Sequence, residues 1–405
     1  MSGEWHRRSI GEFATRKKVI NELGDDLPPL SVTKDRGVVL QSEKYNKRVA
    51  TDPSKYVIVE DGDFAFDPMS LYYGSLGRVR GIGQGLISPD YVAFTVDSSV
   101  DADFIEYLLR SPAMVQKYER VAQQGNQFGK RRRVYWSVLQ DQAVDVPPLG
   151  EQRRIAAILS SIDHAIEKTE AVIAQVGVVK NALMTQMLTR GMPGRHADFK
   201  TTAVGEIPAP WRVSKLADVA KIVTGSTPGT KEPAFWGGGI PFFTPGDLGK
   251  SVWVTDAERT VTGAGAANGR LLPRGAVLMT CIGATIGKQS IAARPCISNQ
   301  QINAAICDEE MEPEFLYYAL ARGRDRLWAM AGRTAVPIVN KGKYEELQVP
   351  VPPLTEQRDI LRVLRALDEN LVQNRSALEA LFVVKAGLLA ALLSGRVLTT
   401  GGAAR

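Results

Sequence analysis

The residues best placed to do chemistry in this chain are amides and cations, not nucleophiles or metal ligands. From Gln123 to Trp136 the sequence runs Gln-Gln-Gly-Asn-Gln-Phe-Gly-Lys-Arg-Arg-Arg-Val-Tyr-Trp. Lys130, Arg131, Arg132 and Arg133 can neutralise phosphates, and Asn126, Gln127 and the arginines can make paired hydrogen bonds to purine edges. A second loop carries Arg333 and Thr334, then Asn340, Lys341 and Lys343, and Ser298-Asn299-Gln300-Gln301 adds a further amide cluster. Arg78 follows Gly77 as Lys288 follows Gly287, which adds one cation to each set. A run of cations alone is equally a solvated face. Its recurrence, each time shortly before a long helix, is what points to DNA.

Catalytic signals are missing by comparison. Gly283-Ala284-Thr285-Ile286-Gly287-Lys288-Gln289 is one residue short of a phosphate-binding loop and has Gln where a magnesium-binding hydroxyl is needed. It reads as a turn between strands. Gly81-x-Gly83-x-Gly85 lacks dinucleotide-loop spacing, and Asp198-Phe199-Lys200 is half of a nuclease carboxylate–lysine pattern without its second acid. Asp67-Pro68-Met69-Ser70 is not the acid/amide-Pro-Pro-aromatic motif of base methylation. His6, His164 and His196 are scattered, and Cys281, Cys296 and Cys307 lack Cys-x-x-Cys spacing, so no metal site is expected.

The elements that must position the basic loops occur twice. Val146-Pro147-Pro148-Leu149-Gly150-Glu151-Gln152-Arg153 reappears as Val351-Pro352-Pro353-Leu354-Thr355-Glu356-Gln357-Arg358, and each copy opens a helical pattern. Apolar residues at alternating spacings of four and three mark a coiled-coil seam. It runs Ile155, Leu159, Ile162, Ile166 and Ile173 in the first copy, and Ile360, Leu364, Leu367, Leu371 and Leu378 in the second. Thr169 and Asn374 interrupt the seams at matching places, as do Lys180 and Lys385. Full antiparallel overlap puts Thr169 opposite Asn374, Lys180 opposite Val363 and Lys385 opposite Ile158, with both ammonium groups snorkelling outward. Before each helix lies a divergent module of short strands and Gly-rich turns, and landmarks such as Trp5 and Trp211 match across the copies.

With 44% hydrophobic and 23% charged residues, the chain has an ordinary globular balance. It has no run of eighteen apolar residues and no secretory leader at Met1 to Arg8, so a cytoplasmic location is expected. A formal charge of +6 permits nucleic-acid binding without demonstrating it.

The doubled Pro-Pro-Leu-x-Glu-Gln-Arg helix start between divergent modules closely resembles the specificity subunit of type I restriction-modification enzymes, from Trp5 to Arg396. The resemblance implies an α+β fold: two mixed α/β target-recognition domains in pseudo-twofold repeat, separated by two long antiparallel coiled-coil helices. Residues 1–149 and 206–350 would be these domains, 150–190 and 351–396 the spacer helices, 191–205 a linker and 397–405 a disordered tail. It implies a non-catalytic chain in which each domain reads half of a bipartite, asymmetric DNA sequence. Two methyltransferase subunits holding S-adenosylmethionine would dock on the helices and methylate adenine N6. Restriction subunits using ATP and magnesium would join them, and this chain would hold no cofactor of its own. Two other readings stay open: a coiled-coil scaffold whose globular ends bind proteins, and a self-sufficient DNA methyltransferase.

Overall fold

The computed structural model describes residues 4–44, 52–124, 132–332, 335–397 and 399. The chain divides into two compact units, residues 1–170 with 377–405, and residues 171–376. Each division falls inside a long helix, so each unit holds part of both.

In the first unit a four-stranded antiparallel sheet runs in the order Ala14–Lys17, Val92–Val96, Phe64–Phe66, Leu76–Arg78. Strand residues alternate between faces. Phe64, Phe66 and Phe94 point to a core shared with the helices Ala102–Leu109 and Pro112–Val121. Ala65 and Ala93, the intervening residues, face a smaller core under the hairpin of Leu30–Thr33 with Gly37–Leu40 and the antiparallel pair of Val57–Glu60 with Gln84–Ile87. The second unit repeats this logic with a five-stranded sheet, Ala220–Thr224, Ile302–Cys307, Val277–Thr280, Gln289–Ala292 and Trp253–Val254. Val277, Met279, Ile291 and Ala305 line one core, and Leu278, Ala292 and Ala304 the other. Each large apolar side chain buried this way contributes about 1.5–3 kcal/mol.

The two long helices are Leu149–Arg190, of 42 residues, and Leu354–Leu393, of 40 residues. At 1.5 Å per residue each spans about 60 Å. The double prolines hold the preceding chain extended, and left-handed Gly191 (φ 69°) and Gly395 (φ 67°) end the helices. The first unit's core takes in Ile155, Ala156 and Leu159 from the start of one helix and Leu392 from the end of the other. The second unit's core takes in Met187 and Leu188 with Ile360, Leu361 and Leu364. Of the remaining seam residues, Ile166 is buried, while Ile162, Ile173, Leu367, Leu371 and Leu378 are half-buried.

Inside each unit the start of one helix shares a core with the end of the other, and the same three residue types link them. In the first, Lys385 Nζ lies 2.5 Å from Asp163 Oδ1, and Tyr107 donates its hydroxyl to Asp163 Oδ2 at 2.7 Å. In the second, Lys180 pairs with Asp368, which also accepts the hydroxyl of Tyr318. Burial and the neighbouring carboxylate push both phenols up, so each remains a donor. These contacts correct the expected role of the two lysines. Lys180 meets Asp368, five residues on from Val363, and Lys385 meets Asp163, five residues on from Ile158. The ammonium groups are ion-paired, not snorkelling to water. Opposite charge, absent from an apolar-seam argument, holds both lysines inside the helix pair. Thr169 and Asn374 are each satisfied on their own helix, Thr169 by the Ala165 carbonyl at 2.7 Å and Asn374 by that of Asn370 at 2.8 Å.

The span expected to be a linker contains structure: Phe199–Thr202 pairs with Gly205–Pro208 as a hairpin.

Candidate functional site

Each helix start is locked by its glutamine and glutamate. Gln152 donates to the Pro147 carbonyl at 2.8 Å and accepts the Asp101 amide at 2.7 Å. Gln357 donates to Pro352 and Glu310 carbonyls at 2.9 and 2.8 Å and accepts the Glu312 amide at 2.9 Å. In both units the amide therefore ties the helix start to the segment leading into a lobe helix. Glu356 is buried and accepts from Trp211 Nε1 at 2.9 Å, His196 Nε2 at 2.8 Å and the Met192 amide at 3.1 Å. Glu151 accepts the amide and hydroxyl of Thr399, in the expected tail, at 2.8 and 2.7 Å. Burial opposes the charge on Glu151, but the Thr399 hydrogen bonds and Arg154 outweigh it and hold the carboxyl below its usual range. Both acids sit in the first turn of their helices, where the helix dipole favours a negative charge. Their main work is to receive the chain that leaves the other helix.

The first candidate binding surface surrounds the basic loop. Asn126, Gln127, Lys130 and Arg131 lie outside the described residues. Arg132 bonds the Glu119 carbonyl and lies 5.2 Å over the Tyr72 ring, while Arg133 is exposed beside Met69. Tyr73 is 60% exposed against Tyr72, and Tyr135 is 44% exposed. Sequence reasoning missed this Tyr–Tyr–Arg platform, although the adjacent tyrosines are legible and could stack on a base or sugar. Arg78 is not free to join it, because its guanidinium is 16% exposed and bonds Asp103 at 2.6 Å.

The second surface lies at one end of the five-stranded sheet. Cys281 N donates to the Gln301 carbonyl, Val339 N to the Cys281 carbonyl, and Gly283 N to the Pro337 carbonyl. These bonds bring the 299–301 amides, the 282–287 turn and the 337–343 loop side by side. Arg333 and Thr334 lie outside the described residues. Asn340 caps a helix, Lys341–Glu345, by accepting the Lys343 amide at 2.9 Å. Lys343 Nζ bonds the Met330 carbonyl at 2.9 Å, and Lys341 pairs with Glu345 at 3.4 Å. Lys288 is exposed and makes no ion pair among the described residues. Its turn, Gly283–Thr285, joins strands Val277–Thr280 and Gln289–Ala292, so no helix follows and no phosphate cradle forms. Among the described residues no group of three His, Cys, Asp or Glu side chains could hold a metal ion.

The helices carry a third surface. Each contains an eighteen-residue stretch apolar enough by composition to cross a membrane, with mean hydropathy 1.3 and 1.9, yet only 11% and 6% of those stretches is buried. Val178 and Val179 are 64% and 37% exposed, and their repeat counterparts Val383 and Val384 are 73% and 46% exposed. Exposed apolar residues at matched positions of both helices make this a candidate interaction surface.

Comparison with known proteins accords with this arrangement. A family model described as the type I restriction modification DNA specificity domain matches twice, at residues 4–176 and 208–380. The MjaIX specificity subunit of a Methanocaldococcus jannaschii type I restriction enzyme is 33% identical over 186 residues, 44% of this chain and 43% of that one. The chain thus spans less than half of that relative. The MjaVIII specificity subunit of the same organism is 24% identical over 356 residues, 85% of this chain and 81% of its own length. The type I restriction-modification S subunit of M. genitalium is 15% identical, with a TM-score of 0.59 over 96% of both chains. A chain solved in work on complex assembly and conformational transition of the type I R-M system is 18% identical, with a TM-score of 0.59 over 97% of this chain and 98% of that one. Both structural likenesses show the fold.

Proposed function

Because this chain belongs to the type I restriction-modification DNA specificity family, we propose that it is the non-catalytic subunit that chooses where such a system acts on DNA. Each lobe reads one half of a bipartite target. The lobes differ, so the target is asymmetric. The two long helices pair as an antiparallel coiled coil in pseudo-twofold relation and hold the half-sites at a fixed distance. The observation that carries this reading is the repeated Lys–Asp–Tyr cluster, in which a lobe tyrosine, one helix's aspartate and the other helix's lysine meet identically in both units.

The residues divide the work by chemistry. Exposed cations such as Arg133 and Lys288 hold phosphates, and exposed amides such as Gln300 reach base edges. The valine pairs on the helices receive two methyltransferase subunits, and restriction subunits join that assembly. S-adenosylmethionine, ATP and magnesium then belong to those partners. Adenine N6 is out of a methyltransferase's reach inside the stack, so the partner extrudes the base while this chain holds the flanking duplex.

Gel shift with pooled random duplexes, alone and with the methyltransferase, tests the DNA-binding core of this reading. Affinity should fall with salt, and converting Arg131, Arg132 and Arg133 to Ala should flatten the log–log slope by about 0.9 for each phosphate no longer neutralised. An unchanged slope would remove that loop from the interface. Absence of any shift with the partner present would favour the protein-scaffold reading.

A further inference from the structure

In the second lobe Thr227 donates its hydroxyl to Gln300 Oε1 at 2.7 Å. The backbone under this hydrogen bond is tied down on both sides. Gly225 N donates to the Ile302 carbonyl at 2.9 Å, Arg270 reaches the Thr224 carbonyl at 2.8 Å, and the Arg270 amide donates to Ser226 Oγ at 2.8 Å. A Cβ on Gly225 would lie 2.1 Å from the Asn299 carbonyl oxygen, so the two loops touch backbone to backbone. Asn299 is used up locally: its Nδ2 donates to Gln301 Oε1 at 3.1 Å and its Oδ1 accepts the Gln301 amide at 3.2 Å. Gln300 is exposed, and its Nε2 makes no hydrogen bond among the described residues.

A free glutamine can present oxygen and nitrogen together, which matches adenine, accepting from N6 and donating to N7. Here the amide oxygen is turned to Thr227, so the end of the amide left for a base is its NH2 group with two N–H donors. Guanine is the base whose major-groove edge offers two adjacent acceptors, O6 and N7. The geometry points to Gln300 as a specificity-determining residue that reads a guanine in one half-site, with Thr227 as the positioning residue that sets its amide polarity. This inference rests on the DNA-reading function proposed above.

The test is selection of random duplexes by the full chain assembled with its methyltransferase partner, followed by sequencing of the retained pool. Wild type should enrich a bipartite motif with a guanine in one half. Thr227→Val frees the amide and should admit adenine at that guanine, with discrimination falling about tenfold, while Thr227→Ser should restore the wild-type motif. Gln300→Ala, a surface change that leaves the lobe folded, should erase preference at the same position alone. Continued selection of the other half-site shows that the assembly is intact. An unchanged motif in both Thr227→Val and Gln300→Ala, or a wild-type motif without guanine, overturns the inference while leaving DNA reading in place. If wild type enriches no motif, the DNA-reading premise fails, and the inference fails with it.

Discussion

Replacing Glu356 with alanine is expected to destabilise the chain by about 3 kcal/mol, since it strips the acceptor from several buried donors at once. Trp211 is fully buried, and its indole N–H, the Met192 amide and His196 Nε2 all converge on this one carboxylate. The approach is close because Gly191 has no side chain: at φ +69° a Cβ would be strained, and here it would lie 2.4 Å from Glu356 Oε1. Thermal unfolding of the full chain should show a drop of about 6–12 °C. Glu356→Gln, which keeps one acceptor oxygen, should fall between the two. A loss below about 1 kcal/mol would mean that the helix start is held by Gln357 and apolar packing alone.

Introducing charge on the helix valines should act on assembly instead. Val178→Asp with Val179→Asp, and separately Val383→Asp with Val384→Asp, are each expected to abolish docking of one methyltransferase subunit. The drop in affinity should reach about a hundredfold or more, because these matched, exposed apolar positions would be the anchors of each interface. Thermal stability of the isolated chain should barely move, as surface changes outside the core are near neutral. Native mass spectrometry should give one methyltransferase per chain for either double variant and none when the two are combined. Retention of two subunits at unchanged affinity would place the docking surface elsewhere.

The helices and their duplication were legible because periodicity and the doubled Pro-Pro-Leu-x-Glu-Gln motif are local signals. The partners of the seam lysines were not. An apolar seam does not name them: Lys180 meets Asp368 and Lys385 meets Asp163, partners far apart in sequence. Asp163 and Asp368 are visible as repeat positions, but nothing in their neighbourhood names a lysine or a tyrosine as partner. The same limit applies at the surface. Arg78 reads as a free cation until the fold delivers Asp103, and Gln300 reads as a two-sided amide until the fold delivers Thr227. Asn340 carries a local signal that its assignment to DNA passed over: an Asn directly before Lys341–Glu345 is a helix cap. Composition thus located the basic and amide-rich loops, while tertiary packing decided which of their groups remain available.

In the proposed function this chain alone selects the DNA site while a partner does the chemistry. The most direct measurement is single-molecule sequencing of methylated adenines in a host lacking adenine methylation, expressing the methyltransferase partner with and without this chain. The account predicts one bipartite, asymmetric motif methylated at adenine N6 only when both are present, with the first half of the motif changed by exchanging the first lobe and the second half untouched. Methylation of the same motif by the partner alone, or a motif that ignores the lobe exchange, would contradict it.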